Sequence, residues 1–202
     1  TTMPQTMNKI VFIDRDGVIN VDLWKYVERW QEFRFEPSAP AAMKALTDAG
    51  FDIFIISNQA GVGDGVFTAE QLRDVHEKMI GELTARGVRI KGAHYCTHSK
   101  HGNCSCRKPR TGLFEKAVEG VRFKKSETFF VGDKATDIEA GKNFGVRTIL
   151  VRTGYGAETE KKLTPATRPD YVVDDLGAAA DRILAAQADT KSKTDVGGSY
   201  EN

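Results

Sequence analysis

Acidic side chains stand close together at two places in this 202-residue chain. Asp14 and Asp16 follow the apolar run at residues 10–13, and Asp133 follows a Val-Gly pair, with Asp137 four residues further on. Apolar runs of this kind are typical of buried strands that end in a polar loop. Carboxylate oxygens are hard ligands that suit Mg²⁺ and a phosphate group bound with it. The pattern favours a magnesium and phosphate site, although two aspartates so spaced also occur as a solvated loop pair.

Three cysteines and one histidine form a second candidate metal site, in the spacing C-x-H-x5-C-x-C: Cys96, His98, Cys104 and Cys106. Three thiolates and one imidazole bind Zn²⁺ tetrahedrally, and a shell of four protein ligands is typical of a structural site. The alternatives are a redox pair of Cys104 and Cys106, or buried thiols without a metal. Neither alternative explains His98. His101, inside the same loop, is predicted to be exposed to solvent and not to be a ligand.

The elements that must position these side chains can be predicted from hydrophobic pattern. Four apolar runs that end in polar, glycine-containing loops predict strands at residues 10–13, 53–56, 128–131 and 147–151. Helical patterns lie at residues 39–49, 69–86, 112–119 and 135–143, and a short strand at 171–173 precedes a last helix at 176–186. Thr68 and Gln71 predict a capping box at the start of the second helix. Alternating strands and helices predict an α/β protein with a parallel sheet and a site at the carboxyl ends of its strands.

The composition excludes several classes of partner. Lysine plus arginine (29) nearly equals aspartate plus glutamate (28), so the formal net charge of +1 offers no field that would attract nucleic acid or an anionic membrane surface. No apolar stretch approaches the roughly 18 residues that span a bilayer, and the start of the chain lacks a secretory pattern. An odd number of cysteines argues against a disulfide framework. We therefore expect a cytoplasmic protein, monomeric and without nucleic-acid or membrane partners.

Length and composition favour one folded domain, at residues 8–187. Residues 1–7, with Met3 and Met7, are interpreted as a start-site remnant or a disordered end. Residues 188–202 are polar and without periodicity, which predicts a disordered tail. Residues 21–35 carry five aromatic side chains without a clean period, which indicates an irregular flap. These side chains either cover an edge of the core or face a substrate: Trp24, Tyr26, Trp30, Phe33 and Phe35.

Four motifs follow one another along the chain: Asp14-Arg15-Asp16-Gly17-Val18-Ile19-Asn20, Ser57-Asn58-Gln59, Arg107-Lys108-Pro109 and Gly132-Asp133-Lys134-Ala135-Thr136-Asp137. Through these motifs, across residues 8–184, the sequence resembles the haloacid dehalogenase superfamily of phosphatases. The resemblance implies a Rossmann-like parallel sheet with helices on both faces and a minimal cap, here with a zinc-binding loop insertion. No gap between the motifs would hold a cap domain. An open site favours a phosphatase over a mutase, which must keep water from its phospho-enzyme.

The resemblance also implies roles for the acidic residues. Asp14 would be the nucleophile that forms an aspartyl-phosphate. Asp16 would protonate the leaving alcohol and then activate water. Mg²⁺ would be held by the Asp14 carboxylate, the Asp16 main-chain carbonyl and Asp133. A binding module that has lost its catalytic residues is disfavoured, because these aspartates and Lys108 are all present.

Further roles concern the phosphate. By the same resemblance, Ser57 and Asn58 would bind the transferring phosphoryl group and Lys108 would neutralise its charge. Other contacts to phosphate or substrate are expected at three positions: Gln59, Arg107 and Lys134. An arginine suits a second phosphate because its planar guanidinium binds two oxygens at once, although an exposed surface arginine is the alternative at this position. Asp137 is expected to cap the following helix or orient Lys134 rather than to bind metal.

The zinc insertion is similar to that of one branch of the superfamily, which contains D-glycero-D-manno-heptose 1,7-bisphosphate 7-phosphatases and histidinol-phosphate phosphatases. The single-domain length and the Arg107-Lys108-Pro109 motif are more similar to the heptose enzymes. The sequence is therefore expected to encode a Mg²⁺-dependent phosphatase for the 7-phosphate of the heptose bisphosphate. The alternative substrate is histidinol phosphate or another sugar phosphate. Two departures stand out: residues 99–103 are a shorter segment than in the heptose enzymes, and Ala60-Gly61 replaces Ser-Gly.

Overall fold

The computed structural model describes residues 6–196 and contains a six-stranded sheet. Its strands are β1 (Lys9–Ile13), β2 (Phe51–Asn58), β3 (Ile90–Cys96), β4 (Phe129–Gly132), β5 (Arg147–Val151) and β6 (Tyr171–Val173). They lie in the order β3-β2-β1-β4-β5-β6, and every neighbouring pair is parallel. The helices are α1 (Ala39–Asp48), α2 (Ala69–Ala85), α3 (Gly112–Ala117), α4 (Ala135–Phe144), α5 (Gly156–Lys161) and α6 (Leu176–Val196). The predicted parallel α/β architecture is confirmed.

Both faces of the sheet are covered, which explains why the central strands are apolar throughout. Side chains alternate between faces along a strand, so Val11 and Ile13 of β1 pack with α1, α2 and α6, whereas Ile10 and Phe12 pack with α3 and α4. The capping box that opens α2 is also present, with the Thr68 side chain bound to the backbone N–H of Gln71 and the reciprocal bond in place. The parallel strands all deliver their carboxyl ends to one edge of the sheet.

Two elements were not predicted. Strand β3 reads Ile-Lys-Gly-Ala-His-Tyr-Cys, and it is an edge strand of mostly half-buried residues. Such a strand needs no continuous apolar run, because one side of it has no strand neighbour. Its pairing with β2 sets Cys96 beside Asn58. Helix α5 is six residues long and carries no apolar periodicity.

The end of the chain also differs from the expectation. The tail predicted to be disordered, residues 188–202, continues α6 as far as Val196. No Gly or Pro interrupts the segment before Gly197, so the helix that is anchored by buried Ile183 continues through these residues. Residues 1–5 and 197–202, which belong to the two ends predicted to lie outside the domain, are outside the described residues. Among residues 6–196, no helix is both long and apolar enough to cross a membrane.

The aromatic segment at residues 21–35 is irregular apart from one 3-10 turn at Trp30–Glu32, and its aromatic side chains divide between the edge of the core and the cleft. Trp30 stacks on Phe33 with ring centroids 4.9 Å apart, and Phe35 contacts Phe33 edge-on, all three against the core. Trp24 and Tyr26 instead line the open cleft above the carboxyl ends of the strands. The segment therefore covers a core edge with its second half and borders the cleft with its first half.

Candidate active site

The loop after β1 places a buried carboxylate at the centre of the sheet edge. The backbone N–H of Asp14 donates to the carbonyl of Val131 in β4 (3.0 Å), which holds the start of the loop against the neighbouring strand. Gly17 then turns the chain with a φ of +84°, a conformation that disfavours side chains with a Cβ. Its N–H donates to the carbonyl of Asn20 (2.8 Å) and closes the loop.

Asp14 is 5% exposed, and its Oδ1 accepts hydrogen bonds from the Lys108 ammonium group (3.0 Å) and the backbone N–H of Arg15 (2.9 Å). Burial and the nearby Asp137 carboxylate raise the pKa of Asp14 to about 7, against the lowering effect of Lys108. The free energy of ionising Asp14 therefore depends strongly on the positive charge placed beside it.

Lys108 is the cation at the floor of the site. Its Nζ donates to three oxygens: the carbonyl of Ile56 (2.9 Å), Asp14 Oδ1 (3.0 Å) and Asp137 Oδ1 (2.7 Å). Burial alone would lower the pKa of Lys108, but the carboxylates of Asp137 and Asp14 raise it above its ordinary value. The Asn58 amide fixes the Lys108 backbone, because its Oδ1 accepts the Lys108 N–H (3.0 Å) and its Nδ2 donates to the Lys108 carbonyl (3.2 Å).

Asp133 and Asp137 follow β4 and have different surroundings. Asp137 Oδ2 accepts the backbone N–H groups of Asp133 (3.2 Å) and Lys134 (3.1 Å), so it caps the start of α4 as expected. With Oδ1 on Lys108, both of its oxygens have partners. Asp133 Oδ2 accepts the N–H of Tyr155 (2.9 Å), whereas its Oδ1 is buried and has no hydrogen-bond partner. Burial and the carboxylates of Asp14 and Asp137 raise the pKa of Asp133 well above its ordinary value.

These carboxylates form a donor set that suits a hard divalent cation. Ligand oxygens of Asp14, Asp133 and Asp137 lie within 4.8 Å of one another. The unpartnered Asp133 Oδ1 is a buried acceptor, and a buried acceptor without a partner is costly unless a cation or donor meets it. Because Asp137 is already bound to Lys108 and to the α4 backbone, Asp14 and Asp133 are the carboxylates left for a metal.

The Asp16 carboxylate accepts hydrogen bonds from three side chains. Arg15 donates to both carboxylate oxygens (2.9–3.1 Å), Asn20 Nδ2 donates to Oδ1 (2.9 Å), and Gln59 Nε2 donates to Oδ2 (2.8 Å). Burial alone would raise the pKa of Asp16, but the Arg15 charge and these hydrogen bonds lower it below its ordinary value. Arg15 itself is fully buried, and its guanidinium lies 5.9 Å from the Tyr95 ring centroid.

The site opens into a cleft with an inner and an outer part. The inner cleft reaches the carboxylates, and its lining contains all three cations predicted to contact phosphate or substrate: Asp14, Asp16, Tyr26, Ser57, Asn58, Arg107, Lys108, Pro109, Lys134, Thr136 and Asp137. The outer cleft shares four of these residues. It adds residues of the aromatic segment, Lys100 from the loop at residues 96–106, and Tyr155 after β5: Asp16, Asp22, Trp24, Lys25, Tyr26, Asn58, Lys100, Lys134 and Tyr155. Arg107 Nη1 is buried without a protein partner, which is unlike an arginine on an open surface.

The predicted zinc ligands lie together at the end of β3. Cys96 Sγ is 3.7 Å from Cys104 Sγ and 3.3 Å from Cys106 Sγ, and His98 Nδ1 is 3.1 Å from Cys106 Sγ. Tetrahedral ligands about 2.3 Å from Zn²⁺ would have their sulfurs about 3.8 Å apart, so the four ligand atoms fit one ion. All three cysteines are free, and no Cys104–Cys106 redox disulfide is formed. His101 is exposed and outside the cluster, as predicted.

Comparisons with known proteins identify the family. Residues 105–179 match the HAD-hydrolase-like family. The chain is 37% identical over 164 residues to the D-glycero-beta-D-manno-heptose-1,7-bisphosphate 7-phosphatase of Haemophilus ducreyi, which covers 76% of this chain and 90% of that protein. It is 35% identical over 191 residues to the D-glycero-D-manno-heptose-1,7-bisphosphate 7-phosphatase of Chlorobaculum tepidum (89% and 96% covered). The chain belongs to the haloacid dehalogenase superfamily.

A solved structure agrees with this membership. The D,D-heptose 1,7-bisphosphate phosphatase from B. bronchiseptica, complexed with magnesium and phosphate, matches with a TM-score of 0.82 at 30% identity and covers 88% of this chain and 99% of that one. This haloacid dehalogenase protein is thus a phosphomonoester hydrolase, and phosphatases of the superfamily use Mg²⁺.

In this haloacid dehalogenase phosphatase, most of the expected site residues meet in one place, with one correction. Gln59, expected to contact substrate, is fully buried, and its amide donates to Asp16 and to Ser57 Oγ (2.9 Å). Gln59 directly follows the end of β2, and a side chain at such a position can point either into the cleft or back beneath the loop. The sequence does not indicate which of these directions the Gln59 side chain takes. Asn58 lines the cleft, but its amide groups are bound to the Lys108 backbone.

Three residues of the site were missed as functional candidates. Arg15 stands inside the first motif and was not assigned a role, although a cation between two aspartates is a signal for a charge clamp. Tyr155 follows β5, and its N–H reaches Asp133 only through tertiary folding. Thr136 lines the inner cleft at the start of α4. Thr136 stands inside the fourth motif, whereas Tyr155 has no sequence signal apart from its position after a strand.

Proposed function

We propose that this phosphatase hydrolyses the 7-phosphate of D-glycero-D-manno-heptose 1,7-bisphosphate through an aspartyl-phosphate on Asp14. The observation that carries the mechanism is the buried Asp14 carboxylate, in contact with Lys108 at the floor of an open cleft. The names of the relatives support the substrate. The cleft also offers cations beyond the one at its floor, which suits a ligand with two phosphates: Lys25, Lys100, Arg107 and Lys134.

In the first half-reaction, an Asp14 carboxylate oxygen attacks phosphorus while the bond between phosphorus and the C7 oxygen breaks. The electron pair leaves with the C7 oxygen, which takes the proton of the Asp16 carboxyl group and departs as an alcohol. Lys108 moves its hydrogen bond from the Asp14 oxygen to the phosphoryl oxygens, where negative charge collects. Arg15, Asn20 and Gln59 favour ionised Asp16 in the free protein, and a phosphate dianion beside Asp16 raises its pKa so that it can carry this proton.

In the second half-reaction, the Asp16 carboxylate takes a proton from water as the water oxygen attacks phosphorus. The bond between phosphorus and Asp14 breaks, which releases inorganic phosphate and restores the Asp14 carboxylate. The clamp of Arg15, Asn20 and Gln59 suits this step, because it stabilises the ionised Asp16 that acts as base. Covalent catalysis thus divides one difficult displacement into two steps.

Asp14 and Asp133 would hold Mg²⁺, together with the main-chain carbonyl of Asp16. Their support is the unpartnered Asp133 Oδ1 and the raised pKa of both carboxyl groups. When bound, the ion supplies positive charge against the repulsion between a carboxylate and a phosphate dianion. Asp137 contributes through Lys108, which it orients towards Asp14.

A structural Zn²⁺ would be held by Cys96, His98, Cys104 and Cys106. The distances between their ligand atoms support this role. Arg107 and Lys108 follow the last of these ligands directly. A closed four-ligand shell would therefore fix the backbone that carries both phosphate-facing cations.

A monomer in the cytoplasm is proposed for the whole molecule. Free cysteines suit a reducing compartment. Among the described residues, few large apolar side chains are exposed, which supports a chain without a large apolar partner surface: Met7, Trp24 and Val66.

The proposal is tested by phosphate release with Mg²⁺ from both anomers of the heptose 1,7-bisphosphate, fructose 1,6-bisphosphate and histidinol phosphate. We expect one heptose anomer to have the highest kcat/KM and Asp14→Asn to abolish its hydrolysis. A higher kcat/KM for histidinol phosphate would overturn the substrate. Activity that survives Asp14→Asn would overturn the mechanism, as would the failure to trap a phosphorylated Asp14 peptide during turnover.

A further inference from the structure

The rim of the outer cleft carries an exposed tryptophan in an unfavourable backbone conformation. Trp24 is 64% exposed, and its backbone φ is +60°. Among residues 6–196, every other residue with a positive φ is a glycine. The left-handed region disfavours side chains with a Cβ, and a large apolar ring in water is a second cost. The Asp22 side chain holds this conformation by accepting the Trp24 N–H (2.7 Å).

The Trp24 ring is joined to the catalytic residues by a chain of direct contacts. It packs edge-on against Tyr155, with ring centroids 4.4 Å apart and planes at 81°. The Lys134 ammonium group lies 4.6 Å from the centroid of the Tyr155 ring, and the Tyr155 N–H donates to Asp133. Direct contacts with Lys134 and Asp133 therefore connect the two rings to the proposed Asp14 and Asp133 centre.

We propose that Trp24 and Tyr155 form an aromatic rim in which the Trp24 ring, held edge-on against Tyr155, stacks on the carbon face of the substrate's sugar ring and so selects cyclic over acyclic phosphomonoesters. This inference rests on the proposed phosphatase function and adds the part of the substrate that lies outside the phosphate pocket. The inner and outer clefts share Asp16, Tyr26 and Lys134, so a phosphate at Asp14 leaves its attached ring in the outer cleft.

A pyranose suits this rim because of the charge distribution on the two kinds of ring. The C–H groups on one face of the ring carry partial positive charge, and the faces of aromatic rings carry partial negative charge. Tryptophan and tyrosine offer large contact area with little loss of side-chain entropy. The Asp22 carboxylate and the Lys25 and Lys100 ammonium groups also line the outer cleft and can meet the hydroxyl and anionic substituents at the edge of such a ring.

The test compares Trp24→Gly with Trp24→Phe. Glycine removes the ring and accepts the positive φ, so Trp24→Gly is expected to fold with an unchanged or higher Tm. For heptose 1,7-bisphosphate we expect its KM to rise about tenfold or more, with kcat within about threefold, because the contact aids binding and not the chemical step. For glycerol 3-phosphate, kcat/KM should stay within about twofold, and Trp24→Phe should restore most of the lost affinity. Val66→Ala, which removes part of an exposed apolar side chain outside both clefts, is the neutral control.

Binding is measured independently of turnover in Asp14→Asn protein. The chain has two tryptophans, and Trp30 is half-buried, stacked on Phe33 and absent from the lining of both clefts, so Trp24 reports on the cleft. Glucose 6-phosphate should change the fluorescence and sorbitol 6-phosphate or inorganic phosphate should not, and Trp24→Phe should abolish the response.

Equal responses to the cyclic and acyclic sugar phosphates would overturn the inference. Equal losses on heptose bisphosphate and glycerol 3-phosphate in Trp24→Gly, or no loss on either, would also overturn it. Absence of wild-type hydrolysis of every phosphate would instead contradict the proposed function, and the fluorescence result would still decide the rim.

Discussion

Asp14 and Asp16 lie two residues apart, yet their neighbours favour opposite protonation states. Asp14 is buried near other carboxylates, which raises its pKa to about 7, whereas Arg15 and two amides lower the pKa of Asp16. The proposed nucleophile therefore needs added positive charge before it is fully ionised, and the proposed acid and base is stabilised as a carboxylate. Neighbouring charges and hydrogen bonds, rather than residue type, divide the roles.

Gln59→Leu tests the clamp on Asp16. Leucine has a similar volume but cannot donate to Asp16 and Ser57, so kcat should fall about tenfold or more while KM stays within about threefold. The lost hydrogen bonds should also lower the free energy of unfolding by about 1–2 kcal/mol. Steady-state kinetics and urea unfolding measure both quantities. An unchanged kcat in a correctly folded variant would show that Asp16 does not depend on Gln59.

Asp133→Asn separates function from stability. The amide can still accept the Tyr155 N–H, but it removes one charge from the buried carboxylate cluster. We expect the metal-free variant to have a Tm equal to or above that of the metal-free wild type, because repulsion with Asp14 is relieved. Its Mg²⁺-dependent kcat/KM should fall by about 10³-fold or more. A lower Tm together with retained activity would contradict the place given to Asp133.

At the scale of elements, the loop that carries the Cys/His cluster (residues 96–106) links an edge strand to the cations of the site. Cys96 ends β3, and Arg107 and Lys108 follow Cys106 before α3 begins. The loop also packs against the chain after β2, where a Cβ on Gly63 would lie 2.4 Å from the Ser99 nitrogen. A metal at the cysteine cluster would therefore order a segment that contacts two sides of the cleft.

Removal of zinc is expected to lower both stability and activity. A chelator that releases the metal should lower the Tm by about 5 °C or more, because a ligand that binds only the folded state stabilises it. It should also lower kcat, because Arg107 and Lys108 lose their fixed backbone. Metal analysis, thermal unfolding and kinetics check this, with Cys96→Ser as the matched variant and His101→Ala as the control. Less than half an equivalent of zinc in protein purified without added metal would exclude the structural site.

At the scale of the whole molecule, the loops after β1 and β5 cross above Asp133. Gly17 and Gly154 face each other there, and a Cβ on Gly154 would lie 2.3 Å from Asp133 Oδ2 and 2.6 Å from the Gly17 Cα. The Thr153 hydroxyl donates to the Gly17 carbonyl (2.6 Å), and this hydrogen bond connects the loop after β5 to the loop after β1. Segments more than a hundred residues apart in sequence thus share one carboxylate.

Gly154→Ala should displace Asp133 and lower kcat/KM by about 100-fold or more. Gly120→Ala is the matched control, because Gly120 also has a positive φ (+73°) but a Cβ there would meet nothing within 4 Å. Backbone strain should cost both variants about 1 kcal/mol of unfolding free energy, Gly154→Ala should lose more because of the clash, and the control should keep its activity. Equal activities of the two variants would contradict the steric argument.

The sequence by itself determined five of the six described strands, most of the helices and both groups of candidate ligands. Buried parallel strands are continuous apolar runs, and Asp14, Asp133 and the cysteines stand at fixed places after them or close together in the chain. Local spacing therefore carried the information. Local spacing did not predict the extension of α6 or the edge strand β3, because neither depends on an apolar run of its own.

Only the tertiary structure decided which way the polar side chains point. It turned Gln59 beneath the loop onto Asp16, brought Tyr155 to Asp133 across the sheet, and divided the aromatic segment between the core and the cleft. These contacts join residues that are distant in sequence, so no local pattern encodes them. They depend on strand order, because parallel strands bring distant loops to one edge of the sheet, and packing there selects each side-chain orientation.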